Sequence, residues 1–205
     1  MSELIALNPM HPNPNLLDLI VRNLQNGAVI AYPSDSGYAL GCALQQKQAL
    51  ERLRSIRQLN AQHNFTLICR DLSEISKFAE VSNAHFKLLK RLTPGGYTFI
   101  LPGTRAVPDL ILSKQETIGI RIPDHPIPLM IAEALQAPLL STTLIMPEKT
   151  EPLIYAEDVI DEVGQQVELI IDAGFAGFEP TSVLDLTSNK PIIIRRGSGN
   201  VSEFE

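Results

Sequence analysis

The chain has 205 residues, of which 44% are hydrophobic, so it is long enough to bury the core of one domain without disulfides or a structural metal. Its formal net charge of −6 argues against broad, nonspecific affinity for nucleic acid, because such affinity needs an excess of lysine and arginine. No apolar run approaches the roughly 18 residues of a membrane span. The two isolated cysteines and the lack of an N-terminal signal predict a reduced, cytoplasmic protein.

Apolar periodicity predicts helices and strands that alternate along the chain. Residues 1–15 contain three prolines and are expected to form an extended lead-in, after which Asn15 caps a helix that stops at Gly27. The predicted helices are residues 16–25, 45–58, 72–79, 83–92 (with Ser82 as its N-cap), 127–136 and 156–163. The predicted strands are residues 28–32, 65–69, 97–101, 117–121, 138–141, 167–172, 182–186 and 192–195.

This alternation is typical of an α/β protein in which helices cover one or both faces of a sheet. No linker, repeat or low-complexity tract interrupts it, so residues 1–205 are expected to form a single domain. The sequence has no G-x-x-x-x-G-K-[ST] phosphate loop, no G-x-G-x-x-G turn and no G-x-S-x-G elbow. The standard nucleotide cradles and the serine hydrolases of that type therefore have little support.

Hydroxyl-bearing residues and arginines recur near the ends of the predicted elements. Ligands collect at strand ends in open α/β sheets, and these side chains are the donors that an anion requires. Each also has an ordinary structural explanation: Ser34 or Thr181 as a turn or cap residue, and Arg121 as half of a salt bridge. The residues are Ser34, Ser36, Tyr38, Arg57, Tyr97, Thr98, Arg121, Ser141, Thr142, Thr143, Thr181, Ser182 and Arg195.

Several of these residues lie in segments that resemble motifs of the YrdC/YciO family, in the family's order. The R-x-P-D-H-P motif is intact at residues 121–126, and the closing R-x-G motif is present at residues 195–197. The resemblance extends from residue 27 to residue 197, and residues 56–74 look like the YciO branch in particular. The other matching segments are PSDSGYALG at 33–41, PGGYT at 94–98 and PTSVLD at 180–185.

The resemblance implies a YrdC-like fold, a twisted mixed sheet flanked by helices with a positively charged concave face. The best-known members are L-threonylcarbamoyl-AMP synthases, which use threonine, bicarbonate and ATP with Mg²⁺ in the modification of tRNA. By carry-over, threonine is expected at Ser34, Ser36, Tyr38, Arg121 and Ser182. The nucleotide is expected at Arg57, Ser141, Thr143 and Arg195. No resident metal site is expected.

Two positions depart from the synthase pattern. Synthases carry a K-x-R pair, which reads Arg57-Gln58-Leu59 here, and an S-A-N-like triad, which reads Thr143-Leu144-Ile145. The loss of one phosphate-binding cation is expected to cost about 2–3 kcal/mol of nucleotide binding.

Three hypotheses follow from the sequence. The first is a threonylcarbamoyl-AMP synthase or a related acyl-adenylate enzyme. The second is a noncatalytic module that grips double-stranded RNA or tRNA, which the clusters of lysine and arginine and the two altered positions favour. The third is a hydrolase in which Asp35 or Asp124 orients water.

Overall fold

The computed structural model describes residues 2–59, 63 and 65–205. Within these residues the chain forms ten strands, six α-helices and two 3₁₀ turns, Asp109–Ile111 and Ser202–Phe204. The strands are β1 (Glu3–Ala6), β2 (Ile30–Ser34), β3 (Gly37–Ala43), β4 (Thr66–Ile68), β5 (Tyr97–Pro102), β6 (Thr117–Arg121), β7 (Leu139–Thr143), β8 (Leu169–Asp172), β9 (Ser182–Asp185) and β10 (Ile192–Arg195). The helices are α1 (Pro14–Gln25), α2 (Lys47–Ile56), α3 (Leu72–Phe78), α4 (Asn83–Leu92), α5 (Pro126–Leu135) and α6 (Ala156–Val163).

The strands form one mixed sheet, so the α/β class expected from the sequence is confirmed. Its order is β1-β8-β2-β3-β7-β4-β6-β5-β9-β10. Strand β8 lies parallel to both β1 and β2, and the pairs β4–β6 and β5–β9 are also parallel. The other neighbours are antiparallel. The carboxyl end of β6, which carries Arg121, therefore lies beside the end of β4 and the start of β5.

The expectation that residues 1–15 form only an extended lead-in was wrong. Residues Glu3–Ala6 are the edge strand β1, which pairs in parallel with Leu169–Asp172 of β8. Ile5 is buried by this pairing. A four-residue segment followed by three prolines carries too little periodicity to reveal a strand, and its partner lies more than 160 residues away in the sequence.

A second strand, β3, was also missed, because no strand was predicted between residues 32 and 65. Instead β2 continues to Ser34, and β3 begins at Gly37 and forms an antiparallel hairpin with it. Gly37 has φ +103°, which a side chain would strain. Residues 37–43 contain two glycines and two alanines, whose strand propensity is low, so burial between β2 and β7 determines this strand.

The helix caps explain where two helices begin. Asn13, not Asn15, is the N-cap of α1, and its side chain accepts a hydrogen bond from the Asn15 amide at 3.0 Å. Pro14 then occupies the first helical position, where its missing N–H costs nothing. Ser82 caps α4 as expected, accepting from the His85 amide at 3.2 Å.

One face of the sheet is covered by α2, α3, α4 and α6. Their apolar residues and those of the strands form the larger core, in which alternate strand residues point to this side. Among its members are Leu53, Ile75, Leu89, Val159, Leu40, Phe99, Ile120 and Ile170.

The opposite face is covered at one end, where α1 and α5 pack against the strands. This smaller core contains Ile131 of α5 together with Ile30, Leu139 and Ile171 of the sheet. Toward β6, β5, β9 and β10, the described residues contribute no apolar cluster to this face. The sheet therefore has an uncovered end, where the polar strand residues lie.

Both cysteines are free thiols buried in the larger core. Burial raises the pKa of Cys42 to about 12, so this thiol stays protonated and unreactive at neutral pH. No helix among the described residues is both long enough and apolar enough to cross a membrane.

Candidate functional site

The uncovered end of the sheet forms a cleft of about 570 Å³, which lies within the range of small-molecule sites. Side chains from β2, β4, β5, β6, β7, β9 and β10 line it, together with the segment that joins α2 to β4. The lining residues are Tyr32, Ser34, Ser36, Ala39, Arg57, His63, Thr66, Ile68, Thr98, Ile100, Gly119, Arg121, Pro123, Pro128, Ser141, Thr142, Thr143, Ile145, Thr181, Val183, Ile194 and Arg195.

Most of the residues selected from the sequence meet in this cleft. The structure brings together Ser34, Ser36, Arg57, Arg121, Ser141, Thr143 and Arg195, although they lie up to 161 residues apart in the sequence. These residues come from β2, β6, β7, β10 and the turns that follow β2 and α2. The convergence predicted for guanidinium and hydroxyl groups is therefore present for these seven.

Tyr38 and Ser182 were also expected at the ligand, but neither lines the cleft. Tyr38 is fully buried in the larger core, and its hydroxyl donates to the Ile171 carbonyl at 3.1 Å. Ser182 is fully buried as well, and its hydroxyl donates to the Gly199 carbonyl at 2.6 Å. Each is one residue out of phase with the cleft-facing residues of its strand, because side chains alternate between the two faces.

Arg121 is the most buried cation of the cleft. Its Nη1 donates to the Ser36 hydroxyl at 2.8 Å, and its Nη2 forms an ion pair with Asp35. Its Nε is buried and has no hydrogen-bond partner among the described residues. Burial lowers the pKa of Arg121, and the Asp35 carboxylate opposes that effect. The guanidinium is thus fixed in position while its Nε–H has no partner among the described residues.

The turn between β2 and β3 holds the partners of Arg121. The Ser34 hydroxyl donates to the Gly37 carbonyl at 2.7 Å and accepts from the Ser36 amide at 3.2 Å. Asp35 also accepts a hydrogen bond from the Asp124 amide at 3.1 Å, which ties the turn to the segment after β6. Ser34 is therefore a turn residue and Arg121 is half of a salt bridge, as their ordinary explanations suggested, and both still line the cleft.

Arg195 lies on the opposite side of the cleft and is held without a carboxylate. Its Nε donates to the Thr181 carbonyl at 2.9 Å, and its Nη2 donates to the Thr181 hydroxyl at 3.0 Å. That hydroxyl lies 2.9 Å from the hydroxyl of Thr98. Burial is the main cause of the lowered pKa of Arg195, the charge of Arg121 is the second cause, and no described carboxylate is paired with this guanidinium.

Arg57 caps α2 and lines a third part of the cleft beside His63. Its side chain makes no hydrogen bond or ion pair with a described residue, and its Nε is buried. Burial lowers its pKa, although a guanidinium stays charged at neutral pH. The Nε2 of His63 lies 3.3 Å from the Thr142 hydroxyl.

The charges of the cleft are unbalanced. Three arginines line it, and among the described lining residues there is no carboxylate; Asp35, which pairs with Arg121, lies beside the cleft. Asp35 compensates the charge of Arg121 only, so the charges of Arg57 and Arg195 need another anion. The arrangement can therefore bind a polyanion or a molecule with two separate anionic groups.

Three polar residues that line the cleft were not predicted as site residues from the sequence, namely Tyr32, His63 and Thr66. Tyr32 lies two residues before Ser34, so the two-residue strand period would have placed it on the same face. Its hydroxyl is hydrogen-bonded to Ser141, and burial raises its pKa, so the phenol stays protonated. His63 itself lies outside the helices and strands, so neither period applies to it.

The two altered positions differ in placement. Ile145 lines the cleft, where the synthase pattern has asparagine. Leu59 packs against the larger core, so it contributes no polar group to the cleft.

A family model described as telomere recombination, which covers the Sua5, YciO and YrdC proteins, matches residues 22–197. The chain belongs to this family. It is 46% identical over 205 residues to YciO of Escherichia coli K12, with 100% of both chains covered. The crystal structure of E. coli YciO covers 100% of both chains with a TM-score of 0.96.

Two further relatives carry names that state a ligand or an activity. The chain is 28% identical over 158 residues to the threonylcarbamoyl-AMP synthase of Vibrio vulnificus YJ016, covering 76% of this chain and 84% of that protein. The crystal structure of P. abyssi Sua5 complexed with L-threonine has a TM-score of 0.88 and 23% identity. It covers 96% of this chain and 58% of that chain, and at this identity it supports the fold alone.

Proposed function

We propose that the cleft binds threonine, bicarbonate and MgATP and forms L-threonylcarbamoyl-AMP for tRNA modification in the cytoplasm. The observation that carries this proposal is the convergence of Arg57, Arg121 and Arg195 with hydroxyl groups on one cleft of about 570 Å³. The synthase names among the relatives support the choice of reaction.

The reaction balances without a nucleophile or cofactor from the protein. The threonine amine and bicarbonate condense to a carbamate and water. A carbamate oxygen then forms a bond to the α-phosphorus of ATP as the bond to the bridging β-phosphate oxygen breaks, and pyrophosphate leaves with the electron pair. The protein has to hold the reactants in line and neutralise charge on the phosphates.

The proposed roles follow from charge and position. Arg121 and Ser36 receive the threonine carboxylate, since both line the cleft and Arg121 is a cation, while Ser34 and Asp35 keep both residues in place. Arg57 and Arg195 receive the nucleotide phosphates, because neither is paired with a carboxylate among the described residues.

Hydroxyl groups and bound magnesium complete the nucleotide site. Ser141 and Thr143 line the cleft near the phosphates. Among the described residues no group of three or more histidines, cysteines or carboxylates could hold a metal ion. Mg²⁺ would enter with the nucleotide as MgATP and would supply positive charge to the phosphates, and Arg57 and Arg195 would neutralise the remaining charge. Tyr38 and Ser182 support the site from the core.

Ile145 and Leu59 favour a second candidate function, the binding of RNA without catalysis. Both remove polar groups that synthases direct at the nucleotide. The cleft would then receive part of a phosphate backbone, and affinity would fall steeply with salt. The size of the cleft, which suits a nucleotide better than a duplex, favours the synthase.

Pyrophosphate release tests the proposal. Protein with threonine, bicarbonate and MgATP is expected to release pyrophosphate, and omission of threonine is expected to abolish the release. Arg121→Lys is expected to raise the threonine requirement, whereas Arg105→Ala, an exposed arginine outside the cleft, is the matched control. Folded protein that neither releases pyrophosphate nor is stabilised by MgATP and threonine would contradict the synthase, and salt-dependent binding of a short RNA duplex in the same protein would favour the second candidate.

A further inference from the structure

We propose that His63 is a phosphate-binding residue of the cleft that acts beside Arg57 and makes nucleotide binding stronger at acidic pH. This inference rests on the proposed function, because it names a residue that contacts the phosphates of the same nucleotide.

The position of His63 is fixed by two uncharged contacts. Its Nε2 lies 3.3 Å from the Thr142 hydroxyl, and its ring packs edge-on against Phe65 with 5.5 Å between the ring centroids. His63, Thr142 and Arg57 all line the cleft. The imidazole is therefore held at the wall of the cleft that Arg57 also lines, and Arg57 is the one described cleft arginine whose side chain makes no hydrogen bond or ion pair with a described residue.

His63 also lies close in the sequence to the position at which the synthase pattern has a second cation. The matching position, Leu59, packs its side chain into the larger core. His63 follows Leu59 by four residues in the same connection between α2 and β4. Among the described residues that line the cleft, it is the single histidine, and so the one side chain there that gains a positive charge near neutral pH.

The groups around His63 disfavour its positive charge unless an anion is bound nearby. The charged groups that act on His63 are Arg54 and Arg57, both from α2 or its cap, while Phe65 and Thr142 carry no charge. Burial is the largest cause of the lowered pKa of His63, and the two arginines lower it further. In the free protein the imidazole is therefore mostly neutral at pH 7.

A phosphate bound between Arg57 and His63 favours the protonated form of the imidazole. It offsets the arginine charges and accepts a hydrogen bond from the imidazolium, so the pKa of His63 is higher in the complex than in the free protein. A group whose pKa rises on binding adds affinity below its free-state pKa and loses that contribution as the pH rises through its bound-state pKa. Each unit of difference corresponds to about tenfold in affinity.

Calorimetric titration of MgATP from about pH 5.5 to about pH 8 tests this inference. The nucleotide titrates in the same range, so the quantity to compare is the ratio of affinities between the parent protein and His63→Gln at each pH. We expect this ratio to decrease from about tenfold at the acidic end to about twofold at the basic end. His11→Gln, an exposed histidine outside the cleft, is expected to give a ratio of about one throughout.

A ratio near one at every pH would overturn the role of His63 while the proposed function stood. Failure of the parent to bind MgATP at any pH would overturn both. If His63→Gln does not fold, the imidazole proton resonance of His63 in the parent provides the same test. Its pKa is expected to rise when MgATP is added, and an unchanged or lower pKa would overturn the inference.

Discussion

The two ends of one sheet face have opposite chemistry. At the end covered by α1 and α5, the strand residues on this face are apolar, as in Ile30 and Ile171. Toward the uncovered end, the same face carries Thr66, Thr98 and Arg121. Within β7 the change occurs along one strand, where Leu139 packs under the helices and Ser141 and Thr143 line the cleft. The site is thus the part of the sheet that no described helix covers.

This comparison assigns stability to one end and ligand binding to the other. The covered end buries apolar surface, which contributes to folding in proportion to its area. The uncovered end leaves two arginines without a carboxylate partner, which costs stability in the free protein and favours an anionic ligand.

The largest expected effect separates the two ends by stability. Ile171→Ala removes a fully buried side chain under the helices and is expected to cost about 2–5 kcal/mol of unfolding free energy. Ile194→Ala is the matched change at the uncovered end, where the side chain is 56% exposed, and is expected to cost less than about 0.5 kcal/mol. Urea denaturation measures both, and equal costs would break the comparison.

The next effect concerns the buried ion pair of the cleft. Arg121→Met leaves Asp35 without its partner and is expected to cost about 2–3 kcal/mol, below the cost for a fully buried pair because Asp35 is partly exposed. Adding Asp35→Asn is expected to recover much of this loss. If denaturation shows additive costs for the two changes, the ion pair does not couple these residues.

A smaller effect on stability but a clear effect on binding is expected for Arg57→Ala. Removal of this cation is expected to weaken MgATP binding by about 1.5–3 kcal/mol. The unfolding free energy is expected to change little, because its guanidinium makes no hydrogen bond or ion pair with a described residue. Calorimetry and melting curves measured on the same sample separate the two outcomes, with Arg105→Ala as the control. A variant with a lower melting temperature but normal MgATP affinity would show that Arg57 stabilises the fold and does not bind the nucleotide.

The smallest effect is a loss of stability in acid through His125, which caps α5 at the boundary of the two ends. Its Nδ1 accepts from the Ile127 amide at 3.3 Å, and burial is the main cause of its lowered pKa. The unfolded chain has a higher pKa, about 6.5, so this contribution is present above that value and is lost as the pH falls through the folded-state pKa. His125→Asn keeps an acceptor that does not titrate.

Scanning calorimetry between about pH 8 and pH 5 checks this prediction. The parent is expected to lose about 1 kcal/mol more than His125→Asn on acidification, the usual contribution of an N-cap. A difference that does not vary with pH would show that the cap does not titrate.

Most helices and strands, and most residues of the cleft, could be predicted from the sequence. Strand β8 was predictable from its apolar run, because burial on both faces selects continuous apolar residues, and β6 was predictable from the alternation of Ile118 and Ile120 with other residues. β1 and β3 were not, since short or glycine-rich strands depend on distant partners. Tyr38 and Ser182 were assigned to the ligand because the family motifs include them, but strand alternation directs them into the core.

The relation of Arg57 to His63 was beyond sequence reasoning for a different reason. Both residues lie outside the helices and strands, so neither helical nor strand periodicity predicts that their side chains share a surface. Only the folded chain brings them to one wall of the cleft.

A crystal structure of the protein soaked with MgATP and L-threonine tests the central claim most directly. The account predicts difference density inside the cleft, with phosphates beside Arg57 and Arg195 and a carboxylate beside Arg121. Density for either ligand elsewhere on the surface, with the cleft filled only by water at saturating concentrations, would contradict it.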